Sequence, residues 1–133
     1  MASRDLKNNI DVQVGLDLDT YTASVSGEII DTAGYESVTV VVCGSGTTIT
    51  SGTHYFTTTI EAGDDSALSD AVVASGSDVL GSAVWNATGN QTYYLGYVGD
   101  KRYVRPVLNE TGNAEIVANC VVILGHPHKA PVA

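Results

Sequence analysis

The chain has 133 residues, 44% of them hydrophobic, a mean hydropathy of +0.10 and a formal charge of −9 from fifteen acids against six Lys and Arg. That size and apolar content fit one domain with a real core and exclude disorder along the whole chain. So acidic a surface repels DNA and RNA, because non-specific nucleic-acid capture depends on Lys and Arg displacing counterions.

The charges are also segregated. From Asn8 to Asp100 there are twelve acids and no Lys or Arg, while Arg4 and Lys7 precede that block and Lys101, Arg102, Arg105 and Lys129 follow it. Globular surfaces normally intersperse the two signs. Segregation suits contact between complementary blocks of neighbouring copies or with a partner, and it equally serves simple solubility.

Residues 1–9 carry few apolar groups and no apolar run of the secretory type, so they are expected to form an arm on a protein made inside the cell. No run of eighteen apolar residues is present to cross a membrane. The first clear strand is Tyr35 to Val42, with Val38, Val40 and Val42 on one face and Ser37, Thr39 and Val41 on the other. Ser45-Gly46 reads as a break before a short run at 47–50, and Tyr55 to Ile60 is aromatic and β-branched, as a strand should be. Ser66 to Ala74 is too short to stand as a helix and reads as a loop entering a strand.

Further strands are expected over 71–73, 78–81, 83–88, 92–99, 101–108 and 115–124, separated by Gly-Ser, Asn-Gln and Thr-Gly-Asn turn chemistry. Short strands at this spacing, with fourteen glycines, predict an all-antiparallel sandwich or barrel. Pro106 predicts an edge or a bulge. Tyr93 to Arg105 predicts a hairpin turning at Gly99-Asp100. Its Tyr and Arg match the composition of binding hot spots, and equally an ordinary core hairpin with snorkelling arginines. Residues 125–133 contain two prolines and are expected to run extended, largely without ladder pairing, against the same subunit or another copy.

Chemical signatures are sparse. His54, His126 and His128 lack the spacing of a metal site, and Asp64 to Asp70 lacks the ligand order of a calcium loop. There is no Gly-x-Ser-x-Gly elbow, P-loop or dinucleotide fingerprint. Cys43 and Cys120 interrupt Val-rich strands and read as buried free thiols. The sequons at Asn86, Asn90 and Asn109 read as chance matches in a Thr- and Asn-rich chain. No catalytic, metal or cofactor residues are expected.

Three stretches carry a resemblance: Ile30-Asp-Thr-Ala-Gly-Tyr-Glu-Ser-Val-Thr39, Tyr97-Val-Gly-Asp-Lys-Arg-Tyr-Val-Arg105 and Leu124-Gly-His-Pro-His-Lys-Ala-Pro-Val132. They are similar to small virion structural proteins of tailed bacteriophages and prophages. The resemblance implies a β-sandwich that decorates or cements an icosahedral head by binding the major capsid protein, commonly as a homotrimer. Its place would be the capsid surface, after synthesis in the cytoplasm of a bacterial host.

The full expectation is an all-β, jelly-roll-like antiparallel sandwich over 10–124, flanked by an arm (1–9) and a tail (125–133). Position and composition put partner contacts at Arg4, Lys7, His126, His128 and Val132, and then at Tyr97, Lys101, Arg102 and Arg105. Rival readings are a tail or neck component, a carbohydrate-binding module using Trp85 and the seven tyrosines, and, least, a hydrolase.

Overall fold

Four of the six long strands alternate buried with partly exposed residues, and this period of two builds a pair of facing sheets. The computed structural model describes residues 4–50 and 52–129. Among these, eleven strands follow one another: β1 (Ile10–Tyr21), β2 (Val25–Ser26), β3 (Ile30–Asp31), β4 (Tyr35–Thr48), β5 (Tyr55–Gly63), β6 (Val72–Val73), β7 (Val79–Leu80), β8 (Val84–Trp85), β9 (Gly89–Tyr97), β10 (Tyr103–Thr111) and β11 (Glu115–Pro127). One sheet has the order β1-β11-β4-β9-β7; the other has β2-β10-β5-β6, with β3 beside β10 and β8 beside β5. Apart from the two-residue β7, the chain passes from one sheet to the other and back in jelly-roll fashion, so the predicted all-β sandwich is the fold.

The core lies between the sheets. Val38, Val40 and Val42 of β4, Leu95 of β9 and the even-numbered residues of β11 from Ile116 to Leu124 face Phe56 and Ile60 of β5 and Val104 and Leu108 of β10. Burying each large aliphatic or aromatic side chain contributes about 1.5–3 kcal/mol. Trp85 is fully buried and meets Tyr93 edge-on, with ring centroids 5.1 Å apart. That placement removes it as an exposed platform for a sugar.

Five expectations need correction. A strand precedes Tyr35: β1 pairs with β11 from Ile10↔Gly125 to Tyr21↔Ile116, with register shifts around Leu16. Ser45-Gly46 is no break, because β11 on one side (Ser45↔Val117) and β9 on the other (Ser45↔Asn90) hold the strand through it. The Tyr93–Arg105 segment is no hairpin. β9 pairs with β4 and β7 whereas β10 pairs with β5, so residues 98–102 arch from one sheet to the other. The two strands bury alternate side chains in the shared core from opposite sides, whereas a hairpin would place both in one sheet.

Pairing also outlasts Leu124. Gly125 pairs with Ser37 and Pro127 with Tyr35, and the His128 N–H supplies the donor that Pro127 lacks, reaching the Gly34 carbonyl at 2.8 Å. Pro106 is not on an edge either, since β10 has neighbours on both sides. Its carbonyl accepts the Gly27 N–H at 2.7 Å, so its missing N–H falls where β2 gives way to β3.

Candidate partner-binding surfaces

The jelly-roll wrapping brings three distant stretches to one end of the sandwich: the β3–β4 turn, the β9–β10 arch and the end of β11. Arg102 donates from Nε and Nη2 to the two Asp31 oxygens, both at 2.9 Å, a bidentate fork. The Arg102 carbonyl accepts the Thr32 N–H (2.9 Å) and the Thr32 hydroxyl (2.6 Å). The His128 ring pairs with Glu36, and His126 Nδ1 lies 3.1 Å from Ser37 Oγ. Gly34 turns the chain with φ +93°, a conformation that glycine takes without penalty.

Beneath the arch, the Tyr97 hydroxyl accepts the Lys101 N–H at 3.1 Å. A Cβ on Gly99 would lie 2.4 Å from that hydroxyl oxygen, so the arch can cross Tyr97 only as glycine. A groove of about 430 Å³ runs between the turn and the arch, with Tyr35, Glu36, Lys101, Arg102 and His128 among its walls. The Arg102 guanidinium holds the Asp31 carboxyl below its ordinary range, and burial pushes the Tyr97 phenol up.

The structure reassigns several residues expected at contacts. Tyr97 is 5% exposed and belongs to the core. Lys101 pairs with Asp64 at 3.1 Å, Arg105 with Glu61 at 2.6 Å, and Arg102 with Asp31 while stacking 5.1 Å from the Tyr103 ring centre. The late basic block therefore meets the acidic block within one chain. Arg105 is largely covered, while Lys101, Arg102, His126 and His128 stay exposed at the end just described. Arg4 and Lys7 are exposed and form no ion pair among the described residues. Val132 lies outside the described residues.

A second surface went unread in the sequence. On the outer face of the five-stranded sheet, register aligns Val14, Val121, Val41 and Tyr94 in one row across β1, β11, β4 and β9. The next row holds Val12, Ile123, Thr39, Gly96 and Leu80. No charged side chain stands in either row. A groove of about 530 Å³ by Leu6, Ile10 and Ile123 opens at one end of this face, and one of about 480 Å³ by Leu18, Cys43 and Val117 at the other. The signal was the alternation of Val12 and Val14 in β1, and of Tyr94 against Tyr93 and Leu95 in β9.

Elsewhere the chemistry is internal. Asp65 accepts the Ala67 and Ser69 N–H groups and the Ser69 hydroxyl, and Asp70 accepts the Asp64 and Asp65 N–H groups, so this acidic loop ties itself together. Those hydrogen bonds hold both carboxyls below the usual range. His54 Nδ1 accepts the Asn113 N–H, away from the other two histidines. Both cysteines are free. Cys43 projects outward beside Asn119 and is half-buried rather than buried, whereas Cys120 projects inward. Among the described residues no three His, Cys, Asp or Glu side chains gather as metal ligands, and no helix is long and apolar enough to cross a membrane.

The sequence matches no protein-family profile and no curated protein. Among solved structures, the chain is similar to the SPBc2 prophage-derived protein YomS, with a TM-score of 0.44, 14% identity and coverage of 86% of this chain and 94% of that one. Dimeric latent PorU from Porphyromonas gingivalis gives a TM-score of 0.55 at 7% identity, covering 88% of this chain but 12% of that one. A chain of infectious bursal disease virus, Gx strain, gives 0.47 at 10% identity, covering 92% of this chain and 33% of that one. At 7% identity, the PorU match speaks for a shared sandwich fold alone.

Proposed function

We propose that this protein is a structural component of a tailed-phage virion that binds the major capsid protein and reinforces the icosahedral head, acting by contact and without catalysis. One observation carries the reading. The three stretches that resemble small phage virion proteins, at 30–39, 97–105 and 124–128, lie far apart in sequence and converge on one end of the sandwich. A resemblance arising from core packing alone would scatter through the interior; here much of it forms a continuous exposed surface. Exposed Lys101, Arg102 and His128, each held by an acid, give that surface fixed donors and acceptors for a partner.

Such a protein needs only modest affinity per site. Many equivalent sites on a shell, bridged by linked copies, give avidity beyond any single contact. The test is co-sedimentation of the purified chain with heads that lack it, and with tails from the same phage as the control. Saturable binding to heads, weakened by Arg102→Glu, supports the reading; binding to tails alone, or no binding to either, overturns it.

A further inference from the structure

We propose that the outer face of the five-stranded sheet is a self-association surface, on which a second copy of this chain packs face to face about a twofold axis running across the strands. This stands apart from the capsid reading, which concerns the end of the sandwich.

Exposure comes first. Val12, Val14, Leu18, Leu80 and Tyr94 are 52, 53, 71, 59 and 69% exposed. Together they present on the order of 500 Å² of mostly apolar surface, at the upper end of what a monomer leaves uncovered. The half-buried Val41, Val121 and Ile123 between them carry the patch toward the ~800 Å² per partner of a standard interface.

Charge then selects the occupant. The chain carries −9, so two copies approach each other most readily where charge is absent, and both rows of this face are uncharged. The ends of the face differ in sign: exposed Arg4 and Lys7 lie before β1, and exposed Asp17, next to the inward-facing Leu16, lies toward its far end. None of the three has an ion-pair partner among the described residues.

Two twofold axes lie in the plane of such a face. An axis along the strands stacks like ends, setting base on base and acid on acid. An axis across the strands lays β1 antiparallel over β1 of the second copy and sets the basic end of each over the acidic end of the other. This isologous arrangement closes at two copies.

Shape agrees with that axis. Tyr94 and Gly96 are outward neighbours on β9, and a Cβ on Gly96 would lie 3.5 Å from Leu80 Cβ, so the glycine leaves a dent beside a raised ring. An axis between the two rows carries each Tyr94 over Gly96 of the second copy.

Sedimentation equilibrium of the full chain tests the assignment. The expected result is a dimer with a dissociation constant on the order of 1 µM or tighter. Tyr94→Lys and the strand-compatible Tyr94→Thr should each weaken it about tenfold or more without lowering the melting temperature. Lys7→Glu should also weaken it, and Lys7→Glu combined with Asp17→Lys should restore it. A chain that sediments as a 13.8 kDa monomer at high concentration overturns the proposal. So does a trimer, a dimer indifferent to both Tyr94 variants, or one that Lys7→Glu leaves unchanged.

Discussion

The two sheets have equivalent insides and unlike outsides. Inward, both present fully buried aliphatic and aromatic residues. Outward, β5 and β10 offer Thr57, Thr59 and Glu61 beside Arg105, Val107 and Asn109, joined by the Arg105–Glu61 ion pair and an Asn109–Thr59 hydrogen bond of 3.0 Å. The outer face across β1, β11, β4 and β9 instead offers Val12, Val14, Val41, Val121, Ile123 and Tyr94. Strand propensity does not separate the two, since Thr and Val both suit a pleated sheet. What separates them is the solvent each face is built for. Side chains of the polar face partner one another across β5 and β10, whereas the rows of Val, Ile and Tyr on the apolar face offer mainly hydrocarbon.

If the inner halves are equivalent, truncating either should cost alike. Phe56→Ala removes a fully buried ring from the polar-faced sheet and should destabilise the fold by about 3–5 kcal/mol. Leu124→Ala, fully buried on the other sheet, should cost about 2–5 kcal/mol. Urea unfolding measures both. A cost below 1 kcal/mol at either position would show that the sheets do not share one core.

The polar outer face is expected to matter less. The Arg105 and Glu61 side chains are 24% and 22% exposed, and Glu61→Ala leaves a mostly covered guanidinium without its acceptor. The expected loss is about 1 kcal/mol in the same assay, with no change in sedimentation. A change in sedimentation would move the association surface to this face.

Residue types disclosed the inner faces and concealed the outer ones. Val38, Val40 and Val42 were legible as a shared face because they alternate with Ser37 and Thr39, and the structure buries all three. The alternation in β1 is weaker, because Asp11, Asp17 and Asp19 are interspersed and two register shifts interrupt it, so Tyr35 to Val42 stands out as the first clear strand. Period two also says which residues share a face, not which face meets the core: Val12 and Val14 point out, and after the register shift Leu16 points in.

The arch failed differently. A strand, a Gly-Asp step and another strand look the same whether the second strand folds back into its own sheet or crosses to the facing one, so composition alone puts Tyr97 at a surface contact while the structure buries it. The convergence of residues 30–39, 97–105 and 124–128 depends on wrapping order, which no local pattern contains.

The thiols sharpen the inside–outside contrast on neighbouring strands. Burial, with a smaller contribution from Cys43, pushes the Cys120 thiol up to about 12. Because the folded value is raised, Cys120 favours the fold fully below the ordinary thiol range, and this contribution is lost as pH climbs from about 9 toward 12. At pH 8 a disulfide reagent should titrate one thiol per native chain, that of Cys43, and two in urea. Two fast native thiols would mean that the sheet opens around Cys120.

The smallest expected effect tests whether the acidic loop at 64–70 is tied down by its own hydrogen bonds. Asp65 and Asp70 have lowered pKa values because backbone N–H groups, and the Ser69 hydroxyl for Asp65, donate to them; Asp31 is lowered chiefly by Arg102. A lowered folded value places the stabilisation above the ordinary carboxylate range and removes it only as pH falls below about 3.8 and through the folded values. These carboxylates lie at the surface, so the change should be local. Amide exchange at Asp64, Asp65 and Ser69 should quicken in that window relative to neighbouring loops, once corrected for the intrinsic pH dependence of exchange, while Val40 and Val122 in the core keep their protection. Asp70→Asn should produce the same loosening of the Asp64 and Asp65 amides already at neutral pH. If acid instead exposes the core amides at the same pH, the loop and the sandwich unfold as one unit, and the loop draws its rigidity from the sheets rather than from its own hydrogen bonds.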